Sequence, residues 1–82
     1  MRYECSCCGN YTLREESDDI CRVCLWQEDI VQREDPKFGG GPNYGVSLNQ
    51  ARENYKEFGV SDLRFIDNVR RPFDEELPEN NQ

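Results

Sequence analysis

A small α+β fold, with cysteine-bearing hairpins in its first half and one or two short α-helices in its second, is what this 82-residue sequence predicts. Three observations carry that prediction. All five cysteines lie between Cys5 and Cys24, in two closely spaced groups. A Gly- and Pro-rich stretch over residues 35–46 interrupts any regular element, and a helix-start signature follows at Ser47. Little apolar material is available to stabilise such a fold, since 35% hydrophobic residues face 33% charged ones and the mean hydropathy is -0.97. A core of this size rarely supplies more than roughly 3–5 kcal/mol, so a disulfide, metal or partner staple is expected.

The cysteines are the candidates for that staple. Met1-Arg2-Tyr3-Glu4 runs directly into Cys5, leaving no room for a signal peptide, and no apolar run approaches membrane-spanning length. A cytoplasmic location is therefore expected, where thiols stay reduced and a metal is the better reading than disulfides. An odd cysteine count agrees with that choice. Cys5-Ser6-Cys7-Cys8-Gly9 and Cys21-Arg22-Val23-Cys24 give two C-x2-C pairs, the pattern of a closed four-thiolate zinc site. Two intervening residues allow a tight turn to aim both sulfurs at one ion, and Gly9 supplies the positive φ that such a turn commonly needs. The expected ligands of one structural zinc ion are accordingly Cys5, Cys8, Cys21 and Cys24. Cys7 is left as a small buried thiol, with an alternative ligand or a redox thiol as its sharper reading.

Around these pairs, short strands are expected at Tyr11-Thr12-Leu13 and running into Ile20-Cys21, joined by Glu15-Glu16-Ser17-Asp18-Asp19 as a solvated hairpin turn. Cysteine pair, strand, turn, strand and cysteine pair are the order of a zinc ribbon or a related treble of hairpins. Leu25-Trp26 and Ile30-Val31 are expected to cover the site with apolar side chains. In the loop at 35–46 the glycines lack the Gly-Lys-Ser/Thr and the strand-to-helix setting of a phosphate loop. Ser47-Leu48-Asn49-Gln50 reads as a capping box opening a helix to about Phe58, with Leu48, Ala51, Tyr55 and Phe58 as its apolar stripe and Gly59 as its left-handed stop. A weaker helix is expected from Ser61, turning Leu63, Ile66 and Val69 inward and ending before Pro72. Residues 1–73 then form a single zinc-stabilised domain, divided into 1–34, 35–46 and 47–73. Residues 74–82 form an acidic tail expected to be disordered.

The run Cys5-Ser6-Cys7-Cys8-Gly9-Asn10-Tyr11-Thr12-Leu13, the run Ile20-Cys21-Arg22-Val23-Cys24-Leu25-Trp26-Gln27-Glu28-Asp29 and the run Val46-Ser47-Leu48-Asn49-Gln50-Ala51-Arg52-Glu53-Asn54-Tyr55 together resemble the bacterial cysteine-rich CPCC family. The resemblance covers most of the chain to about Pro72. It implies a small protein with a zinc-binding head and points to no particular activity. The family's pattern has proline at the positions of Ser6 and Arg22, so both turns here lack that rigid residue.

Charge narrows the function classes. The formal net charge is -7, from 17 acidic and 10 basic residues, and four thiolates around a divalent ion would take it to about -9. Such a surface repels phosphate, which argues against a nucleic-acid-associated zinc ribbon. No histidine is present, and four cysteines would close the metal site, so an enzyme is not expected. The expected class is a non-enzymatic module that binds a basic protein, a toxin neutralised by an immunity-type protein being one instance. Glu15, Glu16, Asp18, Asp19 and Trp26 are its candidate contacts, with Phe38 and Tyr44 as further aromatic anchors. A nucleic-acid-associated or regulatory zinc ribbon, or a thiol redox sensor, is the alternative.

Overall fold

The computed structural model describes residues 2–81; Met1 and Gln82, the outer ends of the domain and tail read from the sequence, lie outside the described residues. Each C-x2-C pair folds into a knuckle that closes on itself. In the first, the Gly9 N–H donates to the Cys5 carbonyl at 2.9 Å and the Cys5 N–H donates to the Asn10 carbonyl at 2.9 Å. In the second, the Leu25 N–H donates to the Cys21 carbonyl at 2.9 Å and the Cys21 N–H donates to the Trp26 carbonyl at 2.9 Å. The turn reverses the chain, so the residues flanking each knuckle meet one another: Tyr3 pairs with Leu13, and Ile20 with Gln27, both antiparallel.

The predicted zinc-ribbon hairpins are therefore corrected. Among the described residues these two isolated bridges replace any sheet, and Tyr11-Thr12-Leu13 does not pair with Ile20-Cys21. Leu13 and Cys21 instead bond back across their own knuckles, Leu13 with Tyr3 and Cys21 with Trp26. The acidic turn between them is pinned instead to the segment beyond the second knuckle. There the Asp18 N–H donates to the Glu28 carbonyl at 2.7 Å and the Glu28 N–H donates to the Asp19 carbonyl at 2.8 Å.

Asp29 caps a short helix, α1 (Ile30–Glu34), by accepting from the Gln32 N–H. Sequence reading missed α1, although Asp29 and Gln32 have capping-box spacing. Ile30 and Val31, expected to cover the site, lie instead on the solvent side of α1. Its inward residue is Gln32, whose Nε2 donates to the carbonyls of Phe38 at 2.8 Å and Val46 at 2.9 Å. Its side-chain oxygen accepts from Asn43 Nδ2 at 2.8 Å. These bonds hold the Gly/Pro loop in place, and Gly41 is needed because a Cβ there would stand 2.5 Å from Gln32 Oε1.

The longer helix, α2 (Leu48–Phe58), begins at Ser47, which accepts from the Gln50 N–H, and ends at Gly59 with φ 77°. Only half of the capping box forms, because the Gln50 side chain donates to Asn54 Oδ1 at 2.8 Å. Leu48 and Ala51 enter the core, Tyr55 packs at its edge and Phe58 remains exposed. The core around the cysteines consists of Leu13, Val23, Trp26, Leu48 and Ala51.

The second predicted helix is a 3-10 helix, Leu63–Asn68, capped by Asp62 and not by Ser61. Ser61 is already engaged, its N–H donating to the Cys24 carbonyl at 2.9 Å. A 3-10 turn aligns residues i and i+3, and here Leu63 and Ile66 share the outward line instead of facing the core. The segment read as a disordered tail also differs. It carries two short 3-10 turns, Asp74–Glu76 and Pro78–Asn80, and its Glu76 is buried. Arg70 grips the Glu76 carboxylate through two bonds at 2.8 and 3.0 Å, and the Tyr11 N–H donates to the Glu76 carbonyl at 2.7 Å. That ion pair offsets the low apolar content from which disorder was read.

Candidate metal centre

The two knuckles face each other and bring four sulfurs together. The Sγ atoms of Cys5, Cys8, Cys21 and Cys24 all lie within 4.8 Å of one another. Cys5 Sγ is 3.6 Å from Cys24 Sγ, and Cys8 Sγ is 3.7 Å from Cys21 Sγ. A tetrahedral ion with metal–sulfur bonds of about 2.3 Å requires sulfur–sulfur edges of about 3.8 Å. The donor set therefore fits a closed, four-coordinate thiolate site for a metal ion. Cys7 is buried beside the site but is not one of the four.

Polar side chains support the sulfurs. Thr12 Oγ1 donates to Cys21 Sγ at 2.9 Å, Asn10 Nδ2 donates to Cys8 Sγ at 3.3 Å and the Cys24 N–H donates to Cys21 Sγ at 3.5 Å. Thr12 and Asn10 are themselves buried. Sulfur-directed donors of this kind stabilise negative charge on the ligands.

A family model described as cysteine-rich CPCC matches residues 3–76, which includes both knuckles, the loop and both helices. The chain belongs to the cysteine-rich CPCC family. A search of the curated proteins finds none that matches it.

In this CPCC protein the crowding of four thiols has a clear electrostatic consequence. Hydrogen bonds from the Cys24, Cys5 and Cys8 thiols draw the Cys21 pKa far below that of an ordinary thiol, with Thr12 adding to the effect. The bond to Cys21 pushes Cys5 far up, and Cys24 is raised for the same reason. Cys8 is lowered, the raising effect of its bond to Cys21 being outweighed by those to Cys24 and Cys5. Cys21 and Cys8 are thus shifted toward the thiolate and Cys5 and Cys24 toward the thiol; a cation held by all four would have to displace the protons that remain.

The other expected contact residues do not form one surface with this centre. Trp26 is 1% exposed, so it is a core residue and not a contact for a partner. Its indole N–H has no hydrogen-bond partner among the described residues. Glu15, Glu16 and Asp18 are exposed. Asp19 is committed to the fold, accepting from the Arg14 N–H at 2.7 Å, the Ile20 N–H at 2.9 Å and Arg22 NH1 at 2.9 Å. Burial raises the Asp19 pKa, but those three donors outweigh it and hold the carboxyl below its usual range. Phe38 and Tyr44 are both exposed, Tyr44 strongly at 65%, and Arg64 lies 4.8 Å over the Tyr44 ring. Sequence reasoning missed Asn10, Thr12, Glu28 and Arg52 as supports of the knuckles. Asn10 and Thr12 were signalled by their position directly after the first pair, whereas nothing local distinguishes Glu28 or Arg52 from solvated charges.

Proposed function

We propose that this protein binds one structural zinc ion and acts without catalysis, by attaching to a basic protein through its acidic turn. The observation that carries the reading is the closed set of four sulfurs, which leaves no ligand position for a substrate. A tetrahedral site of four thiolates suits zinc or iron, and the small core calls for a redox-inert staple. With zinc bound the surface charge near -9 would favour encounter with a basic partner over phosphate. A toxin neutralised by this chain is one such partner.

Glu15, Glu16 and Asp18 would steer the encounter, and an apolar anchor stands next to them. Ile20 follows the turn directly and, with Tyr44 and Phe65, lines one cavity beside Trp26. Ile20 is 43% exposed, so the anchoring role assigned to Trp26 passes to Ile20 and Tyr44. The test is to convert Glu15 and Glu16 to Gln and Asp18 to Asn, leaving Asp19 intact. Association with the basic protein recovered from the native host is then followed at low and high salt. The reading requires a slower association rate at low salt and convergence with the parent at high salt. An unchanged rate at both salts, or tight binding of the parent to bulk DNA, contradicts it.

A further inference from the structure

Glu28 is fully buried, although its immediate neighbours in the sequence are the polar residues Gln27 and Asp29. Burying a carboxylate is costly unless its oxygens are paired, so its partners indicate its role. The Ser6 N–H donates to Glu28 Oε1 at 3.1 Å, and Ser6 Oγ donates to Oε2 at 2.5 Å. Arg33 NH1 of α1 stands 3.3 Å from the same Oε2. Ser6 lies between the ligands Cys5 and Cys8. The carboxylate therefore holds the residue that sets the angle between two sulfurs. The Ser6 carbonyl, in turn, accepts from Arg52 Nε of α2 at 2.9 Å. The first knuckle is gripped from both sides by charged side chains.

The backbone of Glu28 belongs to the other knuckle's hairpin. It follows Gln27, which pairs with Ile20, and its N–H and carbonyl are fixed by Asp19 and Asp18. No equivalent grip exists on the second knuckle among the described residues. Arg22, at the position matching Ser6, turns outward to Asp19 with its side chain 50% exposed.

We infer that Glu28 is a positioning residue for the metal site, locking the first knuckle against the second through Ser6 and so slowing release of the ion. This rests on the metal-binding reading above. Cys8, the one ligand of the four that is not fully buried, is the side from which the ion would leave when that lock opens.

The test measures zinc release from the zinc-loaded full chain to a chromophoric chelator. Glu28→Gln is expected to accelerate release by about 10- to 100-fold, the usual cost of removing a support of a metal ligand. Ser6→Ala should accelerate it less, and the double variant should fall short of the product of the two, because both remove one interaction. Glu76→Gln is the control, a buried carboxylate whose side chain holds Arg70 and the Phe73 N–H. It lowers stability without touching Ser6 and should leave release near the parent's rate. Release from Glu28→Gln within about twofold of the parent, or no faster than from Glu76→Gln, overturns the inference. If Glu28→Gln does not fold, Ser6→Ala decides, and an unchanged rate there overturns it equally. A parent chain that takes up no metal removes the metal-binding reading itself, and the inference with it.

Discussion

The first knuckle turns through Gly9 at φ 81°, while the second makes the same turn through Leu25 at φ 68°. Their backbone hydrogen bonds match one for one, so the shape is set by what two converging sulfurs require and not by glycine. A leucine held there costs about 1–2 kcal/mol, which the surrounding structure must offset. It does so by burial: Cys21, Val23, Cys24 and Trp26 are all 1% exposed or less. The first knuckle has a relaxed turn but a more open setting, and is held by side chains reaching in from Glu28, Arg52 and Asn10. One knuckle is secured by apolar packing, the other by charge and hydrogen bonds. The same local geometry is thus reached by two different means.

The largest expected effect treats the knuckles as equals. Serine in place of Cys5, Cys8, Cys21 or Cys24 should abolish or severely weaken metal binding and with it the fold, because structural zinc contributes roughly 10–16 kcal/mol in small domains. Cys7→Ser should keep the ion. Native mass spectrometry of the five variants checks this, and loss of metal from Cys7→Ser to the same degree as from Cys8→Ser would show the ligand assignment to be wrong.

A smaller effect separates the knuckles. At Gly9 an added Cβ meets nothing closer than Glu4 Oε2 at 3.8 Å, so Gly9→Ala isolates the cost of positive φ. It should lower stability by about 1–2 kcal/mol in urea unfolding. Leu25→Gly relieves the same strain but removes a half-buried side chain, and should change stability by less. If Gly9→Ala costs nothing, the turns are not equivalent.

The smallest effect is in pH. The folded pKa of Asp19 is depressed, so its contribution is present above the unfolded carboxylate pKa and is lost as pH falls through the lower folded value. Asp19→Asn should therefore be less stable than the parent at neutral pH, with the gap closing in acid. Circular-dichroism melts across that range test it, and a gap independent of pH would place the Asp19 contacts outside the balance of the second hairpin.

What was legible in the sequence has a common physical basis. The four sulfurs, Gly9, the Ser47 cap and the Gly59 stop are each fixed by local covalent geometry, so spacing alone reveals them. The bridge partners were not legible, because single bridges such as Tyr3 with Leu13 bring no alternating apolar pattern with them. Buried polar residues were also hidden: Glu28 and Gln32 look like solvated surface until Ser6, Arg33, Asn43 and the loop carbonyls are brought to them. The exposure of Leu63 and Ile66 accompanies a 3-10 turn in place of an α-helix, which starts from Asp62 because Ser61 is tied to the Cys24 carbonyl.

That two differently supported knuckles are joined by one ion is the claim on which the account depends. Native mass spectrometry of the untreated chain, paired with tertiary NMR dispersion before and after chelation, tests it most directly. One zinc per chain is expected, with dispersion lost when the ion is removed and restored when it is returned. A chain purified without metal that retains full dispersion would contradict the account.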